Sequence, residues 1–170
     1  MLVLIVSSYL VNQGYRFSEI NHVSLIERHQ IPCVSSAVKI IECSTGKQRK
    51  QWADVVSRGF ELEDYKDCFL RYANTKGVST FAAVEDQHFL GGGAVAVFDD
   101  MADIGMASTL PEHRGKGVQK SLLTERLQFA LRAGAEFAAV ITEPGSVSDR
   151  NIHKIGFKTA YSRFKLEKYL

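Results

Sequence analysis

The chain has 170 residues, 45% hydrophobic and 24% charged, with a formal net charge of +2. That balance fits a soluble globular protein with one ordinary core, because two domains would each bury too little surface. Its basic residues are spread along the chain and make no electrostatic case for nucleic acid, and no apolar run approaches the roughly 18 residues of a membrane span.

Cys33, Cys43 and Cys68 are odd in number and lack metal-ligand spacing. Three reduced, mostly buried thiols are expected, with no metal and no catalytic cysteine. Met1–Val6 is apolar but short, without a basic flank or a small-residue cleavage site, which does not make a signal peptide. The expectation is a cytoplasmic protein.

In chain order, Leu2–Val6 reads as a buried strand, and Ser7-Ser8 can cap a short helix that stops at Gly14. Tyr15–Ile20 and His22–Glu27 read as a pair of strands, and Ile31-Pro32-Cys33 breaks the pattern. Val38–Cys43 is a strand, followed by a helix over Lys47–Arg58 whose apolar face is Trp52, Val55, Val56 and Phe60. A second helix spans Leu62–Tyr72, with Tyr65, Phe69 and Tyr72 on its core side.

Ser79–Val84 and Phe89–Phe98 form a hairpin about Glu85-Asp86-Gln87. Gly91-Gly92-Gly93 inside the second strand marks a bulge or a close approach of another segment; no phosphate-loop lysine follows it. Asp99-Asp100 is a turn and Ala102–Leu110 the next strand. From Lys116 to Ala133 the period is helical, with Val118, Leu122, Leu123, Leu127, Ala130 and Leu131 on the apolar face, and Lys120, Glu125, Arg126 and Arg132 largely off it. Gly134 ends that helix. Phe137–Thr142 is a continuous apolar run, expected to be a strand buried on both faces. Ser148 can cap a short helix ending at Gly156, and Phe157–Tyr161 and Phe164–Tyr169 are expected as two closing strands. The order gives a mixed α/β (α+β) domain whose central strand, helix, strand unit is a right-handed crossover.

The segment Leu110–Gln119 carries the chemistry. An apolar strand ends at Pro111, and Arg114-Gly115-Lys116-Gly117 then leads directly into the long helix. Free backbone N–H groups at a helix N-terminus, two basic side chains and two glycines that let a ligand reach the backbone suit a phosphate. The third glycine of a dinucleotide fingerprint is absent, since Lys120 stands there.

The pattern Arg114-Gly115-Lys116-Gly117-Val118-Gln119 resembles the Arg/Gln-x-x-Gly-x-Gly/Ala pyrophosphate signature of the GCN5-related N-acetyltransferases (GNAT). Pro111 before it, the long helix after it, and Asn151 with Gly156-Phe157 downstream fit the same family over about residues 38–170. The resemblance implies a mixed sheet flanked by helices and splayed at its central strands. It implies acetyl-CoA as cosubstrate, with Arg114, Gly115, Lys116, Gly117, Val118 and Gln119 around the pyrophosphate. Ser108, Thr109 and Leu110 would lie along the pantetheine arm, with a backbone N–H near Leu110 as oxyanion donor, and Asn151 on the pocket wall. The implied reaction is direct attack of an amine, on a small molecule or a protein, at the acetyl thioester.

Two positions depart from the family pattern. Gln119 stands where glycine or alanine is usual, and Ile152 stands where a tyrosine often acts as general acid. His153, Tyr161 and Glu143 are the remaining catalytic candidates. The other reading is therefore a non-catalytic, regulatory acyl-CoA-binding module.

An echo links the two ends of the chain. Gly14-Tyr15-Arg16 followed by Ser24–Arg28 resembles Gly156-Phe157-Lys158 followed by Phe164–Lys168. Residues 1–34 are read as the remnant of a second acetyltransferase-like unit ahead of a main domain at 35–170. Such strands need a sheet edge or another subunit, which makes a homodimer compatible with the sequence.

Overall fold

The computed structural model describes residues 8–32 and 36–168. The expected strand Leu2–Val6, and Cys33, lie outside the described residues. The contacts divide the chain into two compact units, one formed by Leu25–Val140 and one by the described parts of Met1–Ser24 and Ile141–Leu170.

In the Leu25–Val140 unit, β2 (Lys39–Glu42), β3 (Val78–Glu85), β4 (His88–Phe98) and β5 (Met101–Thr109) pair antiparallel in that order. β6 (Phe137–Thr142) begins here, and its start pairs parallel to β5, Met101 with Phe137 through Asp103 with Ala139. Two-residue turns suit the hairpins. Asp86 and Gln87 both take positive φ between β3 and β4, the left-handed pair that matches strand twist. A parallel pair needs a crossover, and α4 (Val118–Arg132) supplies it.

Helix α2 (Gly46–Gly59) starts in a capping box: Thr45 accepts from the Gln48 N–H while the Gln48 side chain reaches back. It buries Trp52, Ala53, Val55 and Val56 against Ala82 and Ala94, but Phe60, expected on that face, is 41% exposed. The expected helix Leu62–Tyr72 is shorter, a 3-10 turn Glu63–Tyr65 and then α3 (Lys66–Ala73). Tyr65 therefore sits on the turn and is exposed, while Phe69 and Tyr72 pack on the core.

The glycine triplet is a close-approach device, as the sequence indicated. A β-carbon on Gly92 would lie 2.7 Å from the Trp52 Nε1 atom, and one on Gly93 2.8 Å from the Arg126 Cζ atom. The absence of side chains lets the Trp52 indole N–H donate to the carbonyls of Phe81 (3.1 Å) and Gly93 (3.2 Å). The register of β4 against β5 also shifts between Gly92 and Ala94.

Helix α4 buries Val118, Leu122, Leu123, Leu127 and Ala130 as expected, each large aliphatic being worth about 1.5–3 kcal/mol relative to exposure. Arg126 corrects the pattern. It was placed off the apolar face, yet it is 2% exposed. Its guanidinium donates to the carbonyl of Leu122 on its own helix and to those of Ala94 and Gly105 on the irregular pair β4–β5.

In the other unit, residues 8–12 form a short helix, α1, which ends with Gly14 at φ +85°. Then β1 (Arg16–Glu27) runs without a break, where two strands were expected, because Asn21 and His22 fit one strand and no turn residue interrupts it. Similarly, β7 (Lys158–Glu167) is one strand and not two. The two are neighbours and antiparallel, with Phe17 against Phe164 (centroids 6.1 Å) and Ser24 beside Thr159. The N-cap of α5 (Val147–Ile155) is Ser146, not Ser148, since Ser146 Oγ accepts from the Asp149 N–H. β6 alternates, with Phe137 and Ile141 exposed, so it is not buried on both faces. Among the described residues, no helix is long and apolar enough to cross a membrane.

Candidate active site at the open end of the fifth strand

The pairing of β5 with β6 ends at Asp103 and Ala139, so β5 continues to Thr109 with its β4 side paired and its other edge no longer matched by β6. Met106 takes φ +46° in that stretch, consistent with the irregular register. Leu110 donates its N–H to the Leu90 carbonyl at 3.0 Å. Since successive N–H groups of a strand point to opposite edges, Ser108 faces β4 as Leu110 does, and Thr109 presents its N–H to the opened edge. The N–H of Leu110 itself is thus engaged with Leu90, which leaves that of Thr109 as the neighbouring N–H on the other edge.

Ser108 Oγ donates to the Val56 carbonyl at 2.9 Å, tying the strand end to α2. Thr109 Oγ1 is buried and has no hydrogen-bond partner among the described residues. A hydroxyl buried without a partner is rare and costly, and Thr80 Oγ1 shares that condition.

Beyond Thr109 the chain makes a 3-10 turn at Pro111–His113 and enters α4. Gly115 and Gly117 take φ +79° and +78°, and a β-carbon on either would meet nothing within 4 Å. Gly117 is the N-cap and offers no side chain, so among the described residues the first N–H groups of α4 carry no side-chain cap. The first turn contains no acidic residue. Open space, bare N–H donors and the positive end of a 15-residue helix make an anion cradle.

The side chains of the cradle divide in role. Arg114 donates from Nε to the Thr109 carbonyl (3.3 Å) and from Nη2 to the Gly59 carbonyl (3.2 Å), so it braces the end of β5 against α2. Lys116 is exposed, its Nζ 3.5 Å from His113 Nδ1. Val118 is buried beneath the turn and Gln119 is half-buried. Both were expected as charge donors; Arg114 is anchored to backbone carbonyls, whereas among the described residues Lys116 meets the His113 ring.

A cleft of about 630 Å³ opens in the same unit, lined by α2, the β3–β4 turn, and the residues after β5, including Asp54, Glu85, His88, Leu110, Glu112 and His113. Leu110 joins it to the strand end. Within it Lys66 pairs with Asp54, and Arg58 Nη2 lies 3.8 Å from Glu112 Oε1.

Residues 48–157 match the model of the acetyltransferase (GNAT) family. The chain belongs to that family. A GCN5-related N-acetyltransferase from Kribbella flavida superposes with a TM-score of 0.72 at 16% identity, over 94% of this chain and 62% of that one. A tandem GNAT protein from the clavulanic acid biosynthesis pathway gives 0.68 at 15% identity, over 94% and 56%. An acetyltransferase in complex with the bisubstrate analogue CoA-S-monomethyl-acetylneamine gives 0.63 at 16%, over 79% and 100%. These likenesses establish the fold. The chain spans about three fifths of the Kribbella flavida protein's length. No curated protein matches its sequence.

The other GNAT candidates lie in the unit that contains α5 and β7. Asn151 is half-buried on α5, and Ile152, at the tyrosine position of the family, is 2% exposed. Glu143 is exposed in the loop after β6, where its carbonyl accepts from the Ser146 N–H. Tyr161 is 58% exposed on β7. His153 is held: its Nδ1 lies 2.8 Å from the Phe157 carbonyl. It is grouped with His22 and Asp149, a trio the sequence reading missed because it joins residues 127 positions apart. Burial pushes the Asp149 carboxyl up, but hydrogen bonds from the Gly145 N–H, Thr142 and His22, with the charge of His153, outweigh it and hold the group below its ordinary value.

Proposed function

We propose that this GNAT acyltransferase is a cytoplasmic N-acetyltransferase that transfers an acetyl group from acetyl-CoA to an amine by direct attack. The observation that carries the reading is the uncapped N-terminus of α4 behind Gly115 and Gly117, next to an unmatched edge of β5 that holds an orphaned hydroxyl. These groups fit a ligand that carries both phosphates and a hydrogen-bonding arm. In this reading the N–H groups at Val118, Gln119 and Lys120 receive the pyrophosphate, with Lys116 above them. Thr109 supplies its hydroxyl along the pantetheine arm.

Acetyl-CoA brings the activated acyl group; the chain's task is positioning and charge stabilisation. The Thr109 N–H takes the oxyanion role, since Leu110 is committed to Leu90. An acceptor amine would enter through the cleft at Leu110, whose lining sets Glu85 and Asp86 beside Lys50, with Asp54 and Glu112 paired to Lys66 and Arg58. The aminoglycoside acetyltransferases among proteins of similar fold support a small-molecule amine. Residues 1–34 are proposed as the remnant of a second such unit, supported by the helix, left-handed glycine and long strand that occur at both Gly14 and Gly156.

The test is calorimetry with CoA, then free-thiol release with acetyl-CoA against a panel of polyamines, aminoglycosides and amino-terminal peptides. Gly117→Glu, which puts a carboxylate into the cradle, is expected to abolish CoA binding. Undiminished affinity would refute the site. A second reading, a non-catalytic acyl-CoA-binding module, is favoured by the buried Ile152 at the tyrosine position. Tight CoA binding with no turnover on the whole panel would select it.

A further inference from the structure

His22 on β1 and Asp149 and His153 on α5 bring one ligand atom each to a single point. His22 Nδ1 is 3.3 Å and His153 Nε2 is 3.5 Å from the same oxygen, Asp149 Oδ1. All three atoms lie within 4.8 Å of one another. All three residues belong to one compact unit.

The hydrogen bonds around them fix what this point can hold. The Phe157 carbonyl can only accept, so His153 Nδ1, at 2.8 Å, carries the proton. With that proton on Nδ1, His153 turns Nε2 toward the Asp149 carboxylate, where the ring nitrogen serves either as an N–H donor to Oδ1 or as a lone-pair ligand to a cation held between them. The nearest neutral donor, Thr159 Oγ1, is 3.4 Å from Nε2 and 3.4 Å from Ser24 Oγ, too long to be a strong bond to either.

We propose that His22 Nδ1, Asp149 Oδ1 and His153 Nε2 bind a divalent transition-metal cation of the zinc type, with water in the fourth position. Zinc bonds to nitrogen and oxygen of about 2.0–2.2 Å place tetrahedral ligands roughly 3.4 Å apart; the two imidazole nitrogens lie 3.3 and 3.5 Å from Asp149 Oδ1, and all three atoms lie within 4.8 Å of one another. Imidazole with one carboxylate suits zinc, nickel and cobalt and not magnesium or calcium. The outer shell is in place as well. The Phe157 carbonyl orients His153, while Thr142 Oγ1 (2.9 Å, on Oδ1) and the Gly145 N–H (3.0 Å, on Oδ2) orient Asp149. Such hydrogen bonds to the far side of metal ligands fix their tautomer and direction. The cation would pin β1 to α5 across a sequence separation of 127 residues. It stands apart from the proposed acyl-transfer reading and does not depend on it.

The experiment is calorimetry of zinc chloride into the chelator-treated, dialysed full chain, alongside His22→Ala and His153→Gln. One equivalent of zinc is expected, with a higher melting temperature in its presence. Each variant is expected to weaken affinity by about 100-fold or more, since loss of an outer-shell partner alone costs about 10–100-fold. Thr142→Val provides that milder outer-shell change, and it keeps the test readable if a histidine variant folds poorly. Cobalt should give visible d–d bands without thiolate charge transfer, which excludes the cysteines as ligands. The proposal is overturned if the wild type takes up no zinc, if all three variants bind as it does, or if His153 stays doubly protonated by ring-nitrogen NMR with zinc present.

Discussion

A β-carbon built on Gly91 would lie 2.6 Å from the carbonyl oxygen of Ser108, and this contact sets how closely β4 can lie against the end of β5. The obstacle is backbone, not the tip of a flexible side chain, so it cannot be relieved by a rotamer change. Gly91→Ala is therefore expected to destabilise the protein by about 1–3 kcal/mol, the usual cost of overpacking. It should also move Ser108 and Thr109 and weaken CoA binding. Gly105, on β5 with nothing within 4 Å of the same added atom, serves as the control. Chemical denaturation of both alanine variants checks the expectation; equal losses would show that the contact is not limiting.

Arg126 is the residue whose environment is least like its sequence position. Burial pushes its guanidinium down to about 10, the nearby Tyr72 opposing that, so it remains charged at neutral pH. Its value lies in the carbonyls of Leu122, Ala94 and Gly105 that it satisfies between α4 and the irregular pair β4–β5. Arg126→Ala removes those donors and opens a cavity, for an expected loss of about 3–5 kcal/mol. Arg126→Lys should recover only part, because an ammonium cannot reproduce the planar fork. Full recovery by lysine would mean that charge alone matters there.

These two residues also show what the sequence could and could not disclose. The glycine triplet was readable, because glycine inside a strand has few uses other than a bulge or a close approach. Arg126 was not, because helical periodicity assigns a polar residue to solvent, and the carbonyls that demand it belong to strands about 20 and 30 residues away. Likewise the Gly115–Gly117 cradle is local and visible, whereas the commitment of the Leu110 N–H to Leu90 is a pairing between strands. β1 and β7 were each divided in two since their polar residues looked like turns. In the structure β7 is exposed along most of its length and β1 is exposed at its start and buried only toward its end, and such strands lack the hydrophobic alternation that identifies them. Cys68 is exposed on α3, where a buried thiol was expected, while Cys43 is buried as read.

Burial pushes the Cys43 thiol up to about 12. Its folded value is raised above the unfolded one, so its stabilising effect is complete below the unfolded pKa near 9 and fades as pH rises toward 12. Between pH 9 and 10.5 the wild type should lose about 1.6 kcal/mol more stability than Cys43→Ala, the slope rising from half to nearly all of about 1.4 kcal/mol per pH unit. Urea midpoints at the two pH values measure the difference. Identical pH dependence in the two proteins would mean that the thiol ionises equally well in the folded state. At pH 8, a thiol reagent should modify Cys68 quickly and Cys43 only on unfolding.

Thr109→Val separates what the buried hydroxyl does for the fold from what it does for a ligand. Valine keeps the shape and removes an oxygen that has no partner among the described residues. Desolvation of that oxygen is uncompensated in the free protein, so the variant should be as stable as the wild type or more stable by about 1 kcal/mol. If the hydroxyl meets the pantetheine arm, losing one hydrogen bond of about 1 kcal/mol should raise the dissociation constant for acetyl-CoA about fivefold. The two effects have opposite signs, which a purely structural role cannot produce. Melting temperature without ligand and calorimetry with CoA measure them independently. A variant that is less stable yet binds CoA unchanged would show that Thr109 Oγ1 has a partner within the protein, and would remove the hydroxyl from the site.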